Sequence, residues 1–285
     1  MKHSKNRILL RIATVFFAAV FVFSAVMLYR EYAEKKRSVE AFGSAAALVK
    51  TRSDLNGESE DAENNASASE KADAQEEAEP AGPSAYDTYA AVYEQNNDFV
   101  GWISIDGTVI DYPVMQTPDD PEYYLERGFD RTYNGYGVPF VQSNCDIDHS
   151  DNLVIYAHHM KDGSMFAGLC DYTDEEFYKE HKTIRFDTLS EFGEYEIVAV
   201  FKTVVYSEEG FKYYEFVDGD EAKFDAYIAK CRELELYDTG VTAEYGDRLI
   251  TLSTCEYSRS NGRMVVVAKR IVSEESDTLS LENSR

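Results

Sequence analysis

From Ile12 to Tyr29 the chain runs 18 residues without a charged side chain. A stretch that long and apolar either crosses a bilayer as a helix or serves as a signal sequence. The run extends to Ile8 if Arg11 stretches its stem toward the headgroups. At about 1.5 Å of rise per residue, the longer count just spans a hydrocarbon core. Ser24 and Ala25 offer small residues for cleavage, but the apolar run continues past them to Tyr29, which favours an uncleaved anchor. Lys2, Lys5, Arg7 and Arg11 precede the run and predict a cytoplasmic N-terminus. Arg30, Lys35, Lys36 and Arg37 follow it, diluted by Glu31 and Glu34. The rest of the chain is then expected outside the membrane.

Charge divides the 285 residues into four blocks. Residues 1–52 carry ten basic side chains against three acidic ones, and 53–85 carry ten acids and one Lys. Residues 86–272 hold 36 acids and 16 bases, and 273–285 are again acidic. The formal total of −25 argues against nucleic acid, whose binders need a basic face. Residues 53–85 contain eight Ala, five Ser and no aromatic, too little apolar surface to offset ordering entropy. The expected organisation is a cytoplasmic stub and transmembrane anchor (1–30), an extracellular stalk (31–85) and a folded domain (86–272). A polar tail (273–285) ends the chain, and 53–85 forms a disordered acidic linker within the stalk. Continuation of the membrane helix for some turns beyond Glu31 is compatible with this. Four Cys without a C-x-x-C pair are too few for a disulfide scaffold and offer no zinc or redox motif.

Within the folded block, short β-rich runs alternate with turn residues. Tyr86–Asn96 has helical spacing. Trp102–Ile105 ends at Asp106-Gly107, a hairpin signal, and Thr108–Tyr112 ends at Pro113. Val138–Gln142, Leu153–Ala157, Tyr195–Tyr206, Arg248–Thr254 and Arg263–Ile271 follow as strands. Helical stretches are expected near Asp174–Glu180 and over Asp220–Leu236. Many short strands with few helices predict a mainly β fold, an antiparallel barrel or sandwich.

The chemistry gathers at strand ends. Seven residues, Gly262 among them, separate Cys255 from Arg263. If the two flanking strands pair as a hairpin, Cys255 faces Arg263. A thiol beside a guanidinium favours thiolate, and the guanidinium can hold a carbonyl oxygen. Leu153–Ala157 leads straight into His158-His159-Met160, so a His at a strand exit can reach the same rim. Cys, His and Arg at three strand ends make a site for covalent acyl transfer. Each alone is ordinary: a Cys ending a strand is commonly a small buried hydrophobe, and an Arg there a surface charge.

These residues carry a resemblance. Leu252-Ser253-Thr254-Cys255, with Arg263 before a Val-rich strand, looks like the C-terminal signature of sortases. Tyr156-Ala157-His158-His159-Met160 resembles the class B form of their His motif, and Asn97–Val114 is similar to that class's first strand pair. Lys161–Phe166 and the helix at 220–236 fit as well. The match covers about 86–272. Ala157 stands where the family commonly has Gly. No group to orient His158 is evident; Asn144, Asp146 and Asp151 are equal candidates.

The resemblance implies an eight-stranded sortase β-barrel with an N-terminal helix and a helix in the long loop before the Cys strand. It implies a cysteine transpeptidase outside a Gram-positive membrane, with no cofactor and no metal. Cys255 would attack the Thr carbonyl of a C-terminal sorting motif, giving a thioester. His158 would protonate the departing amine, then deprotonate the amine of a cell wall precursor. Arg263 would hold substrate and oxyanion. Expected partners are secreted proteins bearing the motif, the wall amine and, through the N-terminal helix, the membrane. A pilin-polymerising sortase and a catalytically idle surface-tethered binding domain are the alternatives. The polar C-terminus speaks against the first, and intact Cys255, His158 and Arg263 against the second. His159 is read as a rim residue and Arg259 as a poorer substitute for Arg263. Cys145, Cys170 and Cys231 are read as free or buried. Asp146–Asp151 opens like a calcium loop but lacks its Gly and closing Glu, leaving a solvated acidic turn. No G-x-S-x-G elbow supports a serine hydrolase.

Overall fold

The computed structural model describes residues 2–49 and 84–272. The acidic linker and the tail therefore lie outside the described residues, apart from Ser84 and Ala85. Those two open the domain: Ser84 caps helix α2 (Ala85–Gln95), its hydroxyl accepting from the Asp87 N–H while the Asp87 carboxylate reaches back to the Ser84 N–H. Helix α1 (Lys2–Ala46) carries the apolar run, with its large apolar side chains exposed from Leu10 to Tyr29. It is long and apolar enough to cross a membrane.

Eight strands close into one barrel. They are β1 (Phe99–Ser104), β2 (Asp111–Met115), β3 (Phe140–Val141), β4 (Asn152–Tyr156), β5 (Thr183–Thr188), β6 (Glu194–Val204), β7 (Leu249–Glu256) and β8 (Gly262–Arg270). The order around the barrel is β1-β2-β3-β4-β7-β8-β6-β5, closed by the β1–β5 pair. Two pairs are parallel, β2–β3 and β4–β7, and the rest antiparallel. The lining follows from strand alternation: Leu153, Ile155, Ile250, Leu252, Met264 and Val266 point inward to one core. Short helix α3 (Glu175–Glu180) precedes β5, and α4 (Glu221–Leu234) lies in the β6–β7 connection.

The barrel is not wholly antiparallel as expected, since β2–β3 and β4–β7 are parallel, and the expected strands all form with three further differences. β5 is additional; Arg185 and Asp187 disguise it, yet Asp187 is buried because Tyr89 and the Gly193 N–H donate to its carboxylate. Pro113 does not end β2 but lies inside it, opposite Trp102. On its other side β2 meets β3 only at Met115, so no neighbour needs a proline N–H there. The Asp106-Gly107 turn is wider than a two-residue hairpin, closing from Ile105 to Ile110.

The stretch after the apolar run does not stand clear of the domain. Ser38 and Ala45 of α1 are buried against it, and Phe42 packs on Tyr112. The expected stalk, as far as Ala46, is therefore a docked helix. Its residues Ala41 and Phe42, with Leu48 and Val49 just past its end, join the cluster that α2 forms with β1 and β2.

Candidate active site

Register places the reactive groups. β7 and β8 pair with Cys255 directly opposite Arg263, as the hairpin reading required. Such cross-strand side chains share a face, their Cβ atoms about 5 Å apart. Gly262 makes the turn possible, since a Cβ there would sit 2.4 Å from the Glu256 carbonyl oxygen. β4 runs parallel to β7 with Tyr156 beside Ser253. Parallel neighbours end at the same rim, so His158, two residues past the end of β4, arrives beside Cys255.

All three face outward from the barrel. Ile250 and Leu252 fill the interior, so Thr251, Ser253 and Cys255 form the outer row of β7. The β6–β7 connection roofs this row. Tyr227 bonds Thr251 at 2.8 Å and Tyr213 bonds Ser253 at 2.6 Å. Beyond Ser253 the roof opens into a cleft of about 460 Å³, which Cys255, His158 and Arg263 all line. Its other walls include Leu125, Gln142, Tyr156, Tyr206 and Tyr214. Tyr206 stands 85% exposed at the lip with φ of 58°, an unusual backbone for a bulky residue.

His158 is oriented by a group without a side-chain signature. Its Nε2 lies 2.8 Å from the carbonyl oxygen of Leu125, at the end of a short 3-10 turn (Tyr123–Leu125). A carbonyl only accepts, so Nε2 carries the hydrogen in this bond and Nδ1 takes no part in it. None of the three expected orienting residues does this. Asn144 accepts from Gln142, Asp146 from His149, and Asp151 from the Gly219 N–H.

Neighbouring residues take supporting positions. His159 Nδ1 lies 3.0 Å from the Cys255 carbonyl oxygen, and its ring packs edge-on against Tyr257. Glu256, adjacent to the thiol, is turned to Lys202 and Ser258. Burial alone would raise its carboxyl, but the Ser258 and Lys202 bonds bring it below its ordinary value. Arg259 is exposed in the β7–β8 turn and takes no part in the cleft.

Burial disfavours the thiolate at the remaining cysteines. Burial pushes Cys145 and Cys170 up to about 11 and Cys231 up to about 12, so all three stay protonated at neutral pH. Cys255 is half-buried, at the mouth of a cleft and opposite a guanidinium. Asp146–Asp151 serves as a turn, Asp146 taking the His149 imidazole and Asp148 the Ser190 hydroxyl. Among the described residues no acidic, His or Cys cluster has the geometry of a metal site.

Comparison with known proteins places this geometry. The Sortase domain family matches residues 103–271. Sortase B of Listeria monocytogenes is 36% identical over 179 residues, covering 62% of this chain and 71% of the relative. Sortase B of Staphylococcus aureus is 32% identical over 181 residues, with the same shares. Among solved structures, a Staphylococcus aureus sortase B–substrate complex superposes with a TM-score of 0.60 at 30% identity, covering 65% of this chain and 85% of that one. Sortase B from Bacillus anthracis in complex with AAEK1 gives 0.57 at 35% identity, covering 65% and 85%.

Proposed function

Because this chain belongs to the sortase family, class B, and is a cysteine transpeptidase by that membership, we propose that Cys255, His158 and Arg263 are its catalytic residues. The observation that carries the assignment is their convergence on one cleft: Cys255 and Arg263 by antiparallel register, His158 by the parallel β4–β7 pair.

The chemistry runs in two halves. Cys255 Sγ, as thiolate, bonds to the carbonyl carbon of a Thr in the sorting motif of a secreted protein. The Arg263 guanidinium carries the developing oxyanion. The C–N bond breaks as His158 delivers its Nδ1 proton to the departing amine, leaving a thioester and neutral imidazole. An incoming amine of the cell wall precursor attacks the thioester and gives its proton to His158. The C–S bond then breaks, the new amide is released, and thiolate and imidazolium are restored. A peptide amine as acceptor accords with a solved sortase B complexed with triglycine. The cleft's wall of Tyr156, Tyr206 and Tyr214 suits an extended peptide, with Gln142 available to its backbone. The N-terminal helix would leave this site outside the cell, the basic residues before Leu10 remaining inside.

Incubating the full-length protein with Asn/Ser-Pro-x-Thr-type peptides and triglycine, then sequencing products by mass spectrometry, tests this reading. Cleavage after Thr with transfer to the glycine amine is expected. Cleavage elsewhere would reassign the substrate, and a lysine-linked product would restore the pilin alternative. Orientation is tested with a membrane-impermeant thiol reagent on intact cells. Labelling of Cys255 before lysis is expected; labelling only after lysis would invert the topology.

A further inference from the structure

The extramembrane end of α1 bonds the two segments that carry the partners of the His158–Leu125 bond. Its contacts begin at Glu34, five residues after the apolar run ends at Tyr29. One set of contacts reaches the loop that carries His158. That loop folds back on itself, the Phe166 N–H donating to the His158 carbonyl and His159 bridging Met165. Asp162, in its middle, accepts from the Ser164 hydroxyl and N–H on one oxygen. Its other oxygen takes Lys35 Nζ of α1 at 2.8 Å and the Tyr136 hydroxyl at 3.2 Å. Burial works against the Asp162 carboxylate, but the Lys35 and Ser164 bonds prevail and bring it down to about 2. The loop's end is tied through Tyr112, whose hydroxyl accepts from the Met165 N–H and whose ring packs on Phe42 of α1 at 5.2 Å.

A second set of contacts reaches the segment that presents the Leu125 carbonyl. Asn134 donates to the Ser38 hydroxyl at 2.8 Å and to the Glu34 carbonyl, and the Gly135 N–H donates to the Glu34 carboxylate. Asn134 and Val138 in turn bond the Glu126 and Tyr124 carbonyls, bracketing Leu125. Ser38 is buried in this contact. One helix thus bonds both the ring-bearing loop and the segment that supports the ring's acceptor.

We infer that α1, through Lys35, Ser38 and Phe42, positions the His158 imidazole for proton transfer, so that these are positioning residues for the transpeptidation and the anchor is part of the catalytic framework. This rests on the role given to His158 above. A tether would tolerate loss of these contacts. A clamp loses the alignment of a proton donor, which slows chemistry without weakening substrate binding.

The test uses the full-length protein in bilayer nanodiscs. Lys35→Ala and Ser38→Ala should each lower kcat about 10-fold with KM changed by less than about 2-fold. Lys35→Arg, which keeps the ion pair, should retain wild-type kcat. Alkylation of Cys255 by iodoacetamide should proceed at nearly the wild-type rate in every variant. In protein labelled with ¹⁵N at its histidine rings, the His158 resonances should move in Lys35→Ala and return in Lys35→Arg. Wild-type kcat and unmoved His158 resonances in both alanine variants overturn the inference while leaving the role of His158 intact. So does a loss in Lys35→Arg as deep as in Lys35→Ala. An active His158→Ala variant removes the role of His158 and the clamp with it. Because Lys35 is half exposed, its alanine variant is expected to fold, and Ser38→Ala supplies the independent second reading.

Discussion

The barrel has two covered flanks, and they are built to opposite ends. On one, α2 and the docked part of α1 lie over β1 and β2, burying Tyr89, Val92, Phe99, Trp102, Met115 and Tyr124. Where α2 covers β1 and β2, its polar groups are paired off internally. Tyr89 donates to Asp187, the Trp102 indole to Asp111, and Tyr124 to Asp98. On the other flank, α4 and the β6–β7 connection lie over β4, β7 and β8, with Phe201, Phe216, Phe224 and Tyr227 as filler. There the outer row of β7 is hydroxylic, Thr251 then Ser253, each held by a Tyr hydroxyl, and the row runs out at Cys255 in the open cleft. Apart from Lys35 and Ser38 of α1, which reach Asp162 and Asn134, the closed flank spends its polar groups on itself. The other leaves the last position of the row open to the cleft.

Substitutions on the two flanks should therefore fail differently. Cys255→Ala should lower transpeptidation by about 10⁴-fold or more and abolish the trapped thioester, with the thermal midpoint nearly unchanged. A residual rate near wild type would move the nucleophile elsewhere. Trp102→Ala, on the closed flank, should cost about 3 to 5 kcal/mol of stability, read as a depressed thermal midpoint in detergent. Activity per folded molecule should survive; a kcat loss at unchanged stability would contradict the division between the flanks. Arg263→Lys keeps charge but loses the planar fork, so kcat/KM should fall about 10²-fold. Alkylation of Cys255 should change far less. Equal losses in both assays would leave Arg263 as an electrostatic tuner of the thiol.

His159→Ala deletes the ring behind the Cys255 carbonyl and should cost only about 1 kcal/mol of stability, with activity largely kept. A dead His159→Ala beside a live His158→Ala would exchange the two roles. The smallest effect concerns acid. Burial works against the Asp98 carboxylate, but Arg131 and Tyr124 donate to it and hold it below its ordinary value. A depressed carboxyl contributes stability above its unfolded pKa of about 3.9, and that contribution is lost as pH falls below it. Wild type should accordingly lose more stability between pH 5 and pH 3 than Asp98→Asn, as urea titrations would show. Parallel losses would remove Asp98 from the closed flank's support.

Much of the site could be read from spacing because it depends on local connections. The Cys255–Arg263 hairpin needs only a short turn with a glycine where the strands approach, and both are visible along the chain. His158 was placed by its position after a strand, and the parallel β4–β7 pair then set it at the right rim. What could not be read there depends on groups without a side-chain signature or on distant partners. The Leu125 carbonyl that orients His158 comes from a position 33 residues away and belongs to every residue type alike. β5 carries no clear strand signal because Asp187 looks like a loop residue until Tyr89 and Gly193 satisfy it.

The sequence by itself determined the long apolar N-terminal helix, the mainly β domain and which residues are proposed to react. Each of these follows from hydropathy, periodicity or short separations that the chain cannot evade. Only the tertiary structure decided which face of the barrel the thiol occupies, which atom holds the histidine ring, and that α1 meets the loop after His158. Those depend on long-range packing, where Ser38 meets Asn134 across 96 positions and Lys35 meets Asp162. No local pattern records such pairings, because their free energy exists only once the barrel has closed.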